Sequence, residues 1–210
     1  MRFLLAGVAA ALLSVTVLAR ELALQVPMLA PRVVAWAQQE EANAMARGRP
    51  LTPRMRALAR AVGVSDPSRV RVVIVDHVPL PDEPMLRAAA ESLGFTKMNI
   101  TGLTLGHAIF VRRGRDRDPV LLSHELRHVA QYETEGGIAP FLARHLMDLV
   151  EHGYEDSPFE ADARAHERDT LPPVRSSRAR ARSGTRRRSR DLPAFPMRRA
   201  FRALRSSIVR

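Results

Sequence analysis

The sequence predicts an α+β domain: a small sheet packed with helices, in which one helix carries an HExxH segment and further helices come after it. Three observations lead there. Two short apolar runs, at 70–76 and 107–111, read as strands among segments of helical periodicity. Three helix starts are marked by a capping residue and a first-turn proline: Thr52-Pro53, Asp82-Glu83-Pro84 and Asp118-Pro119. A hydrophobic fraction of 46% in 210 residues is enough for one core of ordinary size.

Taken in order, the chain opens on Arg2 and then 17 residues, 3–19, without a charge. That pattern reads as a signal peptide or a membrane anchor, with Val17-Leu18-Ala19 small enough for cleavage. Residues 20–50 read as a membrane-proximal linker region. Its first part, 21–36, is mostly apolar with breaks expected at Pro27 and Pro31 and either extends the membrane-proximal region or packs on the domain, and 40–50 is polar. The compact domain is expected over 51–172. Its first helix spans 52–62 and stops at Gly63. A buried strand comes next at 70–76, then a helix from Asp82 to about Gly94. Residues 102–113 read as a turn leading into the strand 107–111. A capped helix runs from Asp118 to about Glu135 and ends at Gly136-Gly137. The next helix, 139–152, turns Phe141, Leu142, Leu146, Leu149 and Val150 inward and stops at Gly153. A short helix from Phe159 to about Arg168 precedes Pro172-Pro173.

Charge separates this domain from the C-terminal segment. Of 33 basic and 22 acidic residues, 13 arginines and one aspartate lie in 173–210, leaving 20 against 21 in the rest. The net charge of +11 therefore belongs to an Arg-rich basic tail read as disordered, not to the fold. With no cysteine, disulfides and thiolate-held zinc are excluded, so a metal would need His, Asp or Glu.

The segment with chemistry in it is Ser123-His124-Glu125-Leu126-Arg127-His128. Residues four apart on a helix share a face, so His124 and His128 can offer two imidazole nitrogens to one ion. Zinc takes four positions and a catalytic site leaves one to water. Glu125, beside the first histidine, can take a proton from that water. A third protein ligand is required. The glycine and third histidine of the metzincin pattern are missing, with Gln131 and Thr134 in those places. Glu160 is the preferred third ligand, at the start of a short helix whose Ala161 and Ala163 permit close approach. Asp162 and Glu167 rival it, and His145, His152 and His166 are weaker candidates.

The segment from His124 to Glu167 resembles the HExxH zincins of gluzincin type, in which a glutamate on a later helix completes the site. The run His124-Glu125-Leu126-Arg127-His128-Val129-Ala130-Gln131-Tyr132-Glu133, the glycine turn after it and the later Pro158-Phe159-Glu160 are similar to small bacterial minimal-zincin domains. The resemblance covers about a quarter of the chain strongly. It implies Zn2+ on His124, His128 and Glu160, with Glu125 as general base. It also implies that the strand before the metal helix, here 107–111, lines the cleft and pairs with an extended peptide. Arg127 stands where such proteins carry an uncharged residue, and its stem is expected to carry the guanidinium out to solvent. Tyr154, His152 and Tyr132 are candidates for stabilising an oxyanion.

The function expected from these readings is zinc-dependent hydrolysis of a peptide bond in a peptide or protein substrate, membrane-associated or exported. Two alternatives remain. One is a non-catalytic, metal-stabilised interaction domain at the membrane. The other is a nucleic-acid-binding protein acting through the arginines, against which export and the thin aromatic content of the tail both argue. An anionic membrane surface suits the tail better, because Met197, Phe201, Leu204 and Ile208 lie near one face of a short amphipathic pattern.

Overall fold

Two apolar faces on one short sheet organise the chain. The computed structural model describes residues 2–93, 95–96 and 98–168, with side chains from Leu24 onward. The side chains of the apolar run 3–19 and the whole basic tail 173–210 lie outside the described residues. Within them the protein is α+β, with six helices and a four-stranded mixed sheet. Among the described residues no helix is long and apolar enough to cross a membrane.

The strands are β1 (Arg49–Pro50), β2 (Arg71–Val75), β3 (Gly102–Leu105) and β4 (Ala108–Arg112), in the order β1-β2-β4-β3. β2 and β4 run parallel, whereas β1 with β2 and β3 with β4 are antiparallel. The stretch expected as a turn at 102–106 is therefore mostly strand. Leu105 pairs with Ala108, leaving a two-residue loop of Gly106 and His107. Gly106 has φ 61°, a conformation such tight hairpins need and glycine adopts freely.

Side chains alternate across a strand. Val72, Ile109 and Val111 face a core shared with helices α2 (Pro53–Ala61) and α4 (Pro119–Glu135), through Leu58, Val62, Leu122, Leu126 and Val129. Val73, Ala108 and Phe110 face the opposite core, with residues of α1 (Arg2–Arg47), α5 (Ile138–Asp156) and α6 (Pro158–Ala165). Helix α3 (Pro84–Ser92) lies between β2 and β3 in the chain.

Of the two readings of 21–36, packing on the domain is the one the chain follows, and neither the expected proline breaks nor a linker is found there. α1 continues through Pro27 and Pro31 to Arg47. Each proline removes a backbone donor and would cost about 3 kcal/mol in an isolated helix. Tertiary packing offsets that cost. Val26, Leu29, Ala37 and Ala44 are buried along one stripe, with Val33, Val34 and Trp36 against the same core.

α4 forms as its caps dictate. The Asp118 carboxylate accepts from the N–H groups of Val120 (3.0 Å) and Leu121 (3.3 Å), and Pro119 occupies the first turn. At its end Gly136 is left-handed, and the Gly137 N–H closes onto the Tyr132 carbonyl at 2.8 Å. Gly153, at φ 73° and ψ 173°, kinks α5 rather than ending it as expected, and helix continues to Asp156 before the chain turns into α6.

Candidate metal centre

α4 sets the first half of the site. His124 and His128 stand one turn apart with their rings nearly perpendicular, at 82°, and their Nε2 atoms 3.1 Å apart. α6 brings Glu160 to the same point. Its Oε2 lies 3.4 Å from His124 Nε2, and its Oε1 lies 3.4 Å from His128 Nε2. The glutamate is in the first turn of α6, behind Pro158, and is almost fully buried. Ala163, fully buried, allows the close helix approach, whereas Ala161 is exposed and contributes nothing to it.

The hydrogen bonds around the three groups assign their protons. His128 Nδ1 lies 2.8 Å from Gln131 Oε1. The Gln131 amide nitrogen donates to the Phe159 carbonyl (2.9 Å) and to Asp162 Oδ2 (2.7 Å), so its oxygen is free to accept. His128 Nδ1 is therefore the donor, and its Nε2 points at the cluster. His124 Nδ1 lies 3.1 Å from Glu167 Oε1, a carboxylate that can only accept when ionised, so His124 takes the same tautomer. The two Nε2 atoms and the Glu160 carboxylate thus converge, with both Nδ1 atoms engaged outside the cluster, and Glu160 Oε2 is buried without a hydrogen-bond partner. One ligand atom from each residue lies within 4.8 Å of the other two, a spacing that one cation could bridge. The donor set fits a divalent cation held by two imidazoles and a carboxylate.

Electrostatics agrees with that chemistry. Burial disfavours the charged form of His128, but the hydrogen bond and charge of Glu160 outweigh it and hold the imidazole's pKa up at about 9. Burial likewise opposes ionisation of Glu160, yet the two histidines hold its carboxyl far below the ordinary range. Without a cation, a proton on His128 takes the cation's place.

The rival ligands have other tasks. Asp162 binds Arg127 through both oxygens, at 2.6 and 3.2 Å, besides Gln131. Arg127 does not run out to solvent as expected. Its guanidinium also donates to the Val62 carbonyl at 2.9 Å and so ties the end of α2 to α4 and α6. The reason is local: Asp162 and an unpaired C-terminal carbonyl of α2 lie within reach, and a planar fork satisfies both. Glu167 orients His124 from behind. His166 Nδ1 bonds the Asp162 carbonyl at 2.8 Å, and His152 lies at the surface beside Glu151. His145 packs against Phe141 and Phe159 at the cavity wall, its Nδ1 unpartnered, and burial pulls its pKa down to about 4.

Glu125 is 4% exposed and faces the sheet, where Thr104 Oγ1 lies 2.7 Å from its Oε2 and 3.0 Å from its carbonyl oxygen. Burial raises its pKa, and the neighbouring histidines and Thr104 oppose the rise. A cavity of about 180 Å³ opens beside Glu125 and the three convergent groups. Its wall is almost wholly apolar, with Val33 and Trp36 from α1, Leu86 and Leu93 around α3, and Leu146 and Leu149 from α5. The strand lining it is β3, not 107–111 as expected, because β4 lies inside the sheet between β2 and β3. Of the oxyanion candidates, Tyr132 is buried with its hydroxyl donating to the Thr104 carbonyl (3.3 Å), while Tyr154 lines the cavity with its phenol beside Glu160.

Sequence reasoning misses Gln131. The signal that could have found it is its position three residues after His128, on the same helix face. Comparison with known proteins returned no matching family model, no matching curated protein and no matching solved structure, so the reading of the site rests on its own geometry.

Proposed function

We propose that the protein is a zinc-dependent metallopeptidase of zincin-like design. The observation that carries this reading is the convergence of His124 Nε2, His128 Nε2 and Glu160, with the Nδ1 atoms of both histidines held by acceptors outside the cluster. Zinc bound there would supply Lewis acidity, lowering the pKa of a bound water and polarising a carbonyl. The chain's own residues do the rest. Gln131 and Glu167 hold the imidazoles in the ligating tautomer. Glu125, buried beside the ligands with a raised pKa, takes a proton at its carboxylate and passes it to the leaving amine. Tyr154, which lines the cavity beside Glu160, would donate to oxygen charge that develops there. The apolar wall selects a substrate with a large apolar side chain beside the scissile bond and keeps bulk water out.

The uncharged run 3–19 favours action at or beyond a membrane. The test is elemental analysis of the full chain together with His128→Ala, Glu160→Ala and Glu125→Gln. The reading expects about one zinc per chain, lost in the first two variants and kept in the third, and peptide hydrolysis lost in all three. A Glu125→Gln protein that retains full hydrolysis would sink it. Zinc binding without hydrolysis, with Glu125→Gln harmless to stability and partner binding, would instead mark a metal-stabilised interaction domain.

A further inference from the structure

Gly102 and Thr104 are two residues apart on edge strand β3, so both face α4. Their cross-strand partners, Val111 and Ile109, confirm the face, since both belong to the core that α4 helps to form. Thr104 Oγ1 contacts Glu125 Oε2 at 2.7 Å. A Cβ at Gly102 would stand 2.3 Å from Glu125 Oε1, 2.7 Å from its Cδ and 2.9 Å from its Cγ. The three nearest atoms all belong to Glu125, so the missing side chain makes room for this carboxylate. The Thr104 carbonyl is itself held by the buried Tyr132 hydroxyl at 3.3 Å, which anchors the strand to α4.

We propose that β3 sets the working position of Glu125, with Gly102 and Thr104 as its positioning residues. The bare backbone at Gly102 lets the carboxylate lie flat against the strand, and the Thr104 hydroxyl fixes its rotation. This rests on the metallopeptidase reading for its catalytic consequence but not for its structural content. A methyl group at 102 displaces the flexible end of a side chain and no backbone, so the fold and the metal ligands survive while the carboxylate moves toward the cavity. A displacement of ~1 Å in a catalytic group costs ~100-fold in rate.

The experiment is a thermal cycle on the full chain: Gly102→Ala made in the natural protein and in Glu125→Ala. The expected result is a midpoint lowered by roughly 3 °C or more in the first background and not lowered in the second, where nothing remains to clash. Zinc content stays unchanged in both. On fluorescently labelled casein, Gly102→Ala lowers kcat with KM held. Thr104→Val lowers kcat about tenfold, and Thr104→Ser restores it. The proposal is overturned by equal midpoint shifts in the two backgrounds, by no shift in either, by loss of zinc in Gly102→Ala, or by an unchanged kcat where Glu125→Gln is inactive. If the natural chain leaves casein intact, the peptidase reading falls, and the thermal cycle still decides whether β3 holds Glu125.

Discussion

Two clusters built from the same residue types lie along the same helix. In the first half of α4, His124 and His128 meet Glu160, and one atom from each points at a common centre. At its C-terminal end, Glu133 meets His107 and Glu41, and nothing converges. His107 Nε2 lies 3.2 Å from Glu133 and its Nδ1 lies 3.5 Å from Glu41, on opposite sides of one ring. Glu41 also accepts from the His107 N–H at 2.7 Å, and Glu133 from the N–H groups of Ser65 and Asp66. The first cluster turns two Nε2 atoms and a carboxylate on one another and suits a cation. The second spends every contact on joining α1, the β3–β4 hairpin and the loop after α2 to α4. Composition does not distinguish a metal site from a clamp; the direction of the donor atoms does.

The largest effect that would test this contrast is on zinc affinity. His128→Ala or Glu160→Ala should weaken zinc by more than about a hundredfold in a competition assay with a chelating dye, while His107→Ala leaves it unchanged. Equal losses at both clusters would erase the distinction. Next in size is Gln131→Leu, which removes the acceptor that fixes the His128 tautomer. Zinc should weaken by roughly 10–100-fold with the fold intact by circular dichroism.

Proton linkage sharpens the same comparison. The metal-free His128 has its pKa raised from 6.5 to about 9, so its contribution to stability is full below pH 6.5 and is lost as pH rises through 9. At pH 7 zinc should therefore release close to one proton from it, read by calorimetry in buffers of different ionisation enthalpy. The clamp behaves with the opposite sign. His107 holds the Glu41 carboxyl below 4.5, and backbone donors with His107 do the same for Glu133 against the effect of burial. Depressed carboxylates contribute stability that is present above 4.5 and lost as pH falls through their folded values. With Asp66 and Arg69 also near and solvent partly screening the cluster, the effect should be ~1 kcal/mol or less. Thermal unfolding between pH 3 and 5 should show a smaller acid loss in Glu41→Gln than in the natural chain.

Local signals make α4 legible in the amino-acid sequence. Asp118-Pro119 and Gly136-Gly137 bound it correctly because caps act within one turn, and the i, i+4 spacing alone places His124 and His128 on one face. The same locality misleads at α1, where Pro27 and Pro31 look like breaks until a buried stripe from Val26 to Ala44 offsets their cost. It misleads again at β3, whose four residues carry too weak a pattern to separate from a turn.

Residue order alone is enough for the α+β class, the motif helix, a disruption at Gly153 and a short list of candidate third ligands. Packing in three dimensions brought Glu160 to the histidines and left Asp162 and Glu167 behind them. It also turned Arg127 inward, enclosed an apolar cavity with α1 and placed Glu125 against Gly102. Caps, periodicity and spacing are properties of neighbours in the chain. A coordination point and the space for a carboxylate depend on atoms that are 20 to 40 residues apart in sequence and meet only when the helices pack on the sheet.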